Sequence, residues 1–450
     1  MEFLDKLVLP QSSEHIQLLH YMLILVLFLF VPFISVIFGG TALSLYFRKK
    51  GTDSDNRLYS RFAKDIIDML TINKSIGIIL GIVPLLTSIL VFAQLLHSAE
   101  QSTIIYLIAA FILVSISLIL IYTYRYSLSF KNILDSVKNA DSADPSFTQE
   151  VEKFRRGSTS LSIKSGRYGL LILFFALWLF VTAITLASYP DEWGSQNLFF
   201  LLFSMKVLVR FVQFITAAFA ITGAAILFGF FYWEGGIKVI DETYKEFVRK
   251  ISINITFAAA LLQPILLLIS LFILPGDALS SSVFSYAFIA LVLLFLAYHY
   301  LYDMLKNSYV KFSGQVFYVI LFSLLAVIIK DQLAMSNVTK EQSAVLISKF
   351  EKYMSELKGE TGATAKISGE EIYKVRCEAC HRFDTKLVGP PHNSVLPKYV
   401  GKKEQLVAFI RNPVKIDPSY PPMPNPGLKP QEAEAVATYM LEHFEKEKGK

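Results

Sequence analysis

The residues best placed to do chemistry are Cys377, Cys380 and His381, in the run Cys377-Glu378-Ala379-Cys380-His381 near the end of a 450-residue chain. These two cysteines are the only ones present. The pattern C-x-x-C-H is that of c-type haem attachment. Both thiols form thioethers to the porphyrin vinyl groups, and the adjacent imidazole becomes an axial iron ligand. A zinc half-site or a redox dithiol would share part of this pattern. Zinc, however, wants two further Cys or His ligands in a matching pair, and none is spaced that way.

The flanking residues specify the elements that must hold this motif. Ser368-Gly369-Glu370-Glu371 reads as a capping box, so a helix is predicted to start there and run through Ile372, Tyr373 and Arg376 into the motif. Gly389-Pro390-Pro391 forms a rigid turn suited to lie against the histidine ring. Lys402 to Ile410 has a short helical pattern. Tyr420-Pro421-Pro422-Met423-Pro424 makes a stiff loop that could aim a thioether at the iron, and Met/His ligation raises a haem's potential. A last helix begins at Pro430, with Val436, Tyr439, Met440 and His443 on one face. Rival sixth ligands are Met440, His392 and His443. Met440 is read as core and His392 as a surface residue.

This order of parts resembles class I cytochromes c over about 368–445. By that resemblance Cys377 and Cys380 carry one covalent haem c, with His381 as the proximal and Met423 as the distal ligand. Tyr373, Gly389, Pro390 and Tyr439 then serve the haem pocket or the helix packing.

What precedes the motif is mostly apolar. Hydrophobic residues make up 54% of the chain and mean hydropathy is +0.48. Runs long enough to span a bilayer occur at about 20–47, 75–97, 103–124, 168–189, 208–232, 254–275, 283–304 and 314–330, and the chain is expected to leave the membrane from Asp331. With the N-terminus outside, the inside segments 48–74, 125–167, 233–253 and 305–313 hold 7, 8, 4 and 2 Lys or Arg, whereas the outside segments hold only Lys6 and Lys206. The positive-inside rule therefore predicts an outside N-terminus and, after eight crossings, an outside haem domain, on the periplasmic side of a bacterial inner membrane. The net charge of +6 then arises from cytoplasmic loops and implies no nucleic-acid partner. No cleavable signal peptide is expected.

The eight spans read as two four-helix repeats, about 16–190 and 197–335. Gly40 aligns with Gly223, Pro84 with Pro264, and Ser165-Gly166 with Ser313-Gly314. Repeats with an even helix count would be parallel, related by an axis along the membrane normal.

Phe28-Leu29-Phe30-Val31-Pro32 and Arg210-Phe211-Val212-Gln213 with Ile221-Thr222-Gly223-Ala224 resemble the corresponding helices of subunit I of cytochrome bd quinol oxidases, over about 20–275. That family carries haem-ligating histidines where this chain has Leu27 and Gln213, and a long loop between helices six and seven that is short here. The resemblance therefore implies a scaffold without its relatives' haems. A b-type haem at His20 and His97, near the outer ends of the first two spans, is the residual alternative. Lys206 and Arg210 are read as snorkelling anchors, with binding of an anionic lipid, quinone or partner carboxylate as the sharper alternative. Asn254, Gln263 and Pro264 are read as interhelical contacts, and Trp178, Trp193 and Trp233 as packing or interface anchors.

The expected fold class is thus all-α, with a polytopic membrane domain at 1–335, a linker at 336–367 and a cytochrome c domain at 368–450. Val338 to Leu357 reads as a surface helix and Gly359 to Ala365 as flexible. The expected function is electron transfer by a membrane-anchored mono-haem cytochrome c, a non-catalytic subunit of a respiratory complex. Its expected partners are other membrane subunits, the lipid bilayer, a periplasmic or membrane redox partner and quinone reached through a partner. The alternatives are a quinol dehydrogenase or oxidase subunit retaining haem b, and a redox sensor or gate.

Overall fold

The computed structural model describes residues 11–448 except 72, 98, 100–101, 139–144, 194–197, 234–240 and 358–367. Lys6 and the expected flexible stretch Gly359 to Ala365 lie outside the described residues. The described residues are mainly helical, with no strand among them. The chain divides into two compact units, residues 21–338 and residues 339–450 with 1–20.

The first unit is built from α1 (Ser13–Asp53), α2 (Arg57–Leu70), α3 (Lys74–Leu95), α4 (Ser102–Lys138), α5 (Pro145–Leu186), α6 (Met205–Phe231), α7 (Glu242–Ile273), α8 (Ser281–Lys306) and α9 (Ser313–Val338). All of these except α2 are long and apolar enough to cross a bilayer, which makes eight candidate spans among the described residues. The chain is a multi-pass membrane protein. Large apolar side chains point outward all along the spans, among them Ile119 at 68% exposure, Phe288 at 67% and Phe272 at 88%. In water such a surface would aggregate, whereas against lipid tails it costs nothing. The amphipathic α2 is the exception. It buries Phe62, Ala63, Ile66 and Ile67 and caps its start with Asn56, whose side chain accepts from the Leu58 N–H at 2.9 Å.

Two prolines shape the spans. Pro84 cannot donate a backbone hydrogen bond, and the turn before it widens into a π-helical segment, Ile78–Ile82. Pro264 opens the second half of α7 after a break at Leu262. Between helices, small hydroxyl residues supply polar contacts. Thr222 Oγ1 donates within hydrogen-bond distance of both Ala218 O (2.7 Å) and Ser35 O (3.2 Å). Ser44 Oγ reaches Ala63 O and Tyr124 Oη, and Ser117 Oγ donates to Gly169 O. Bonds of this kind average roughly 0.6 kcal/mol each, so close packing carries the bundle. Gln263 is an interhelical contact as expected, donating to Thr216 Oγ1 at 2.7 Å, and Trp178 Nε1 donates to Leu202 O. Asn254 instead faces outward.

The helices outrun the hydropathy windows, most instructively at the end of α9. The chain was expected to leave the membrane from Asp331; the helix itself continues to Val338. Lys330 is 1% exposed and Gln332 3%. Charges persist inside the bundle because they pair. Lys330 Nζ lies 2.7 Å and Arg210 Nη2 3.5 Å from Asp331 Oδ1.

The second unit contains α10 (Lys340–Leu357), α11 (Gly369–Arg376), α12 (Lys403–Arg411) and α13 (Pro430–Lys448). One core joins α11, α12 and α13, including Tyr373, Leu396, Leu406, Ile410, Val436, Met440 and Phe444. At the crossing of α11 and α13, a Cβ on Gly369 would stand 2.2 Å from Ala435 O, so only glycine allows this approach. α10 packs on α12, tied by an ion pair between Arg411 and Glu351.

Candidate haem site

Ser368 caps α11, its Oγ accepting from the Glu371 N–H at 3.3 Å. The helix delivers Cys377 to its C-terminal end, where the Cys377 N–H donates to Tyr373 O at 2.9 Å. The chain then coils tightly. The N–H groups of Cys380 and His381 both donate to Cys377 O, at 3.1 and 2.9 Å, and the Gly389 N–H returns to Cys380 O at 2.9 Å. The motif is thereby closed into a loop that fixes both thiols and the imidazole relative to one another.

The Gly389-Pro390 turn lies directly on the His381 ring. His381 Nδ1 is 3.1 Å from Pro390 O, and donation there sets the tautomer that leaves Nε2 with its lone pair free for a metal. Tyr373 Oη donates to His381 O at 3.1 Å. The Tyr373 and Tyr439 rings pack with centroids 5.6 Å apart, tying α11 to α13. Tyr373 is buried, and burial raises its phenol above its ordinary range.

Cys377, His381 and Met423 line one cavity of about 330 Å³, whose walls include Leu396, Ile410 and Met440. Burial, and secondarily the neighbouring Cys380, push the Cys377 thiol up to about 11. Among the described residues, no group of three or more His, Cys, Asp or Glu side chains could hold a metal ion. The residues fit a haem: the Cys377 thiol, the His381 imidazole and the Met423 thioether border one largely apolar cavity, and one imidazole nitrogen is already committed to a carbonyl. Cys377 and Cys380 would hold the porphyrin covalently, and His381 and Met423 would meet the iron.

His392 was expected at the surface and is buried, with 5% exposure. Its N–H donates to Arg382 O at 2.8 Å, so the Gly-Pro-Pro turn folds back and carries the ring inward. There it stacks on His381 at 5.0 Å and packs near Phe383 and Tyr373. Burial, then His381, lower its pKa to about 3, so it stays neutral. It too lines the cavity, and its Nε2 makes no hydrogen bond. Nothing in the local pattern signalled this, because His392 opens a helix of only four residues, too short to show a period. Of the other rivals, Met440 is buried in the core and borders the cavity, while His443 stacks on Phe383 at 4.0 Å.

In the membrane unit the flagged residues are scattered. His20 sits in α1 with its Nδ1 buried and without a hydrogen bond. His97 sits in the turn after α3. Lys206 pairs with Glu192 at 2.9 Å and lies over the Tyr189 ring. Arg210 does not snorkel. It is 9% exposed and turns inward to Asp331.

A haem-binding, all-α domain with a Met-bearing loop before its last helix is the class of protein this site defines. Residues 364–440 match the family described as cytochrome c oxidase, cbb3-type, subunit III. The same region is 38% identical over 79 residues to cytochrome c-551 of Pseudomonas denitrificans, covering 16% of this chain and 95% of that protein. It is 36% identical over 80 residues to cytochrome c-551 of Azotobacter vinelandii, covering 17% and 98%. No solved structure matches. Through this C-terminal domain the chain belongs to the cytochrome c family, which implies covalent haem c and electron transfer.

Proposed function

We propose that the chain is a membrane-anchored mono-haem cytochrome c, an electron-transfer subunit of a respiratory complex that relays electrons between a quinol-linked or dehydrogenase partner and a periplasmic acceptor. The observation that carries this reading is the single slot in which Cys377, His381 and Met423 meet, on a chain with eight candidate spans. Bound haem supplies a one-electron Fe(II)/Fe(III) couple. The chain's own residues bind and orient it. Two cysteines tether it, Pro390 O and Gly389 hold the His381 ring, and a largely apolar wall receives the porphyrin. His381 and Met423 would both serve as iron ligands and leave no open position for a substrate, so the domain's role would be transfer rather than catalysis.

The domain boundaries proposed are 1–335 for the membrane part, 336–367 for the linker and 368–450 for the cytochrome. The charge asymmetry of the loops supports a periplasmic haem domain on the inner membrane. The membrane part is proposed to be a bd-type scaffold of two repeats without its relatives' haems. Supporting this, Leu27 and Gln213, at the positions of the expected ligands, border a common cavity, and both Pro84 and Pro264 stand where the regular helix is disturbed, the first after a π-helical turn and the second after a break.

The full chain, purified from its native membrane, should retain a haem chromophore after denaturation at one per chain, and lose it in Cys377→Ser/Cys380→Ser. Absence of covalent haem would overturn the proposal, as would failure of protease added to right-side-out cells to clip the C-terminal domain. Co-purifying subunits identify the complex. A second reading, a b haem at His20 and His97, rests on the unpartnered Nδ1 of His20. It predicts a b-type band in the reduced-minus-oxidised spectrum that disappears in His20→Ala.

A further inference from the structure

The membrane unit contains a partly open cavity of about 130 Å³ between α1, α5, α6, α7, α8 and α9, roughly ten times the 10–15 Å³ that a single water needs by this kind of measure. Its composition is divided. The greater part is aliphatic and aromatic, including Val31, Phe214, Ala217 and Val327, whereas Arg210, Asp331 and Gln332 form a polar group. Arg210 starts the second turn of α6 and Asp331 and Gln332 lie in the last two turns of α9, so these polar residues share one end of the bundle.

Two features of that polar group call for a ligand. Arg210 Nη2 and Gln332 Oε1 are buried without hydrogen bonds, though Arg210 is 91% buried by its 9% exposure and Gln332 is 3% exposed. The charges also do not balance. Arg210 and Lys330 both pair with the one carboxylate of Asp331, which Lys330 already holds at 2.7 Å while Arg210 stands off at 3.5 Å. A surplus positive charge inside a bilayer is costly. A mobile anion with an apolar body would relieve it, and the apolar wall provides a place for that body.

We propose that this cavity holds an anionic lipid, its acyl chain against the apolar wall, its negatively charged oxygen on Arg210 and a head-group hydroxyl on Gln332 Oε1. A neutral isoprenoid quinone would fill the apolar part but leave the surplus charge unanswered.

The test uses the full-length chain, stripped of lipid in neutral detergent. It is then incubated with an equimolar mixture of phosphatidylglycerol, phosphatidylcholine, oleate and ubiquinone and weighed by native mass spectrometry. One anionic molecule per chain should be retained at least tenfold over phosphatidylcholine and ubiquinone. Phosphatidylglycerol prevailing over oleate identifies a phosphate head group, and the reverse a carboxylate. Retention should fall at least tenfold in Arg210→Gln and in the cavity-filling Ala217→Phe, with size-exclusion profile and haem spectrum unchanged. Retention of phosphatidylcholine or ubiquinone to the same extent, no retained molecule, or equal retention in both variants would each overturn the proposal. Should neither variant fold, the preference of the unmodified chain decides. The covalent haem is read separately in the same spectra, so failure of the haem assignment leaves this result standing.

Discussion

At Gly389 an added Cβ would stand 2.1 Å from His381 Cε1 and 2.5 Å from Nδ1, which is 1.3 Å inside the 3.4 Å at which ordinary contact begins. Its φ lies outside the left-handed region, so Gly389→Ala tests the clash alone. The imidazole has little room to retreat, because His392 stacks on it at 5.0 Å. Turning the ring aside also breaks the Nδ1–Pro390 O bond, worth about 1 kcal/mol. Overpacking of this kind costs roughly 1–3 kcal/mol, so the expected loss is about 3 kcal/mol. For a domain of this size each kcal/mol moves the melting midpoint by about 4–8 °C, which predicts a fall of roughly 12–24 °C. The assay is a thermal melt of the full chain followed at the haem absorbance, with a redox titration alongside to report the altered imidazole orientation. A midpoint within about 2 °C of the unmodified chain, with an unchanged potential, would refute the argument that this glycine exists to admit the histidine ring.

Met423→Leu removes the thioether but keeps the volume. The haem should stay covalently bound while its potential falls, by redox titration, because Met/His ligation is what raises it. At the buried charge cluster the two sides should respond unequally. Asp331→Asn leaves Arg210 and Lys330 without a counter-charge and should cost about 3–5 kcal/mol, whereas Lys330→Met leaves one cation facing one carboxylate and should be milder. Thermal unfolding in detergent compares them, and equal losses would argue against the surplus charge. Ser368→Ala deletes the cap of α11 and should lower stability by about 0.5–2 kcal/mol, seen as an earlier melt with the same spectrum.

Local chemistry in the chain was enough to locate the haem motif, the capping box at Ser368 and the proline-started last helix. Hydropathy was enough to count the spans. Each of these depends on neighbours in sequence or on a composition averaged over some twenty residues. Where a helix ends inside the bundle did not follow from such averages. Asp331 looks like a lone charge at the end of an apolar run until Arg210, 121 positions earlier, turns out to stand beside it. His392 looks like a surface residue until the fold-back of its turn places it on His381. Met423 lies 42 residues from His381, and its place on the same cavity depends on how α12 and α13 pack. Covalent attachment and membrane crossing are properties of segments and can be read along the chain. Ion pairing, ring stacking and cavity walls join residues distant in sequence, and only the packed helices bring those together.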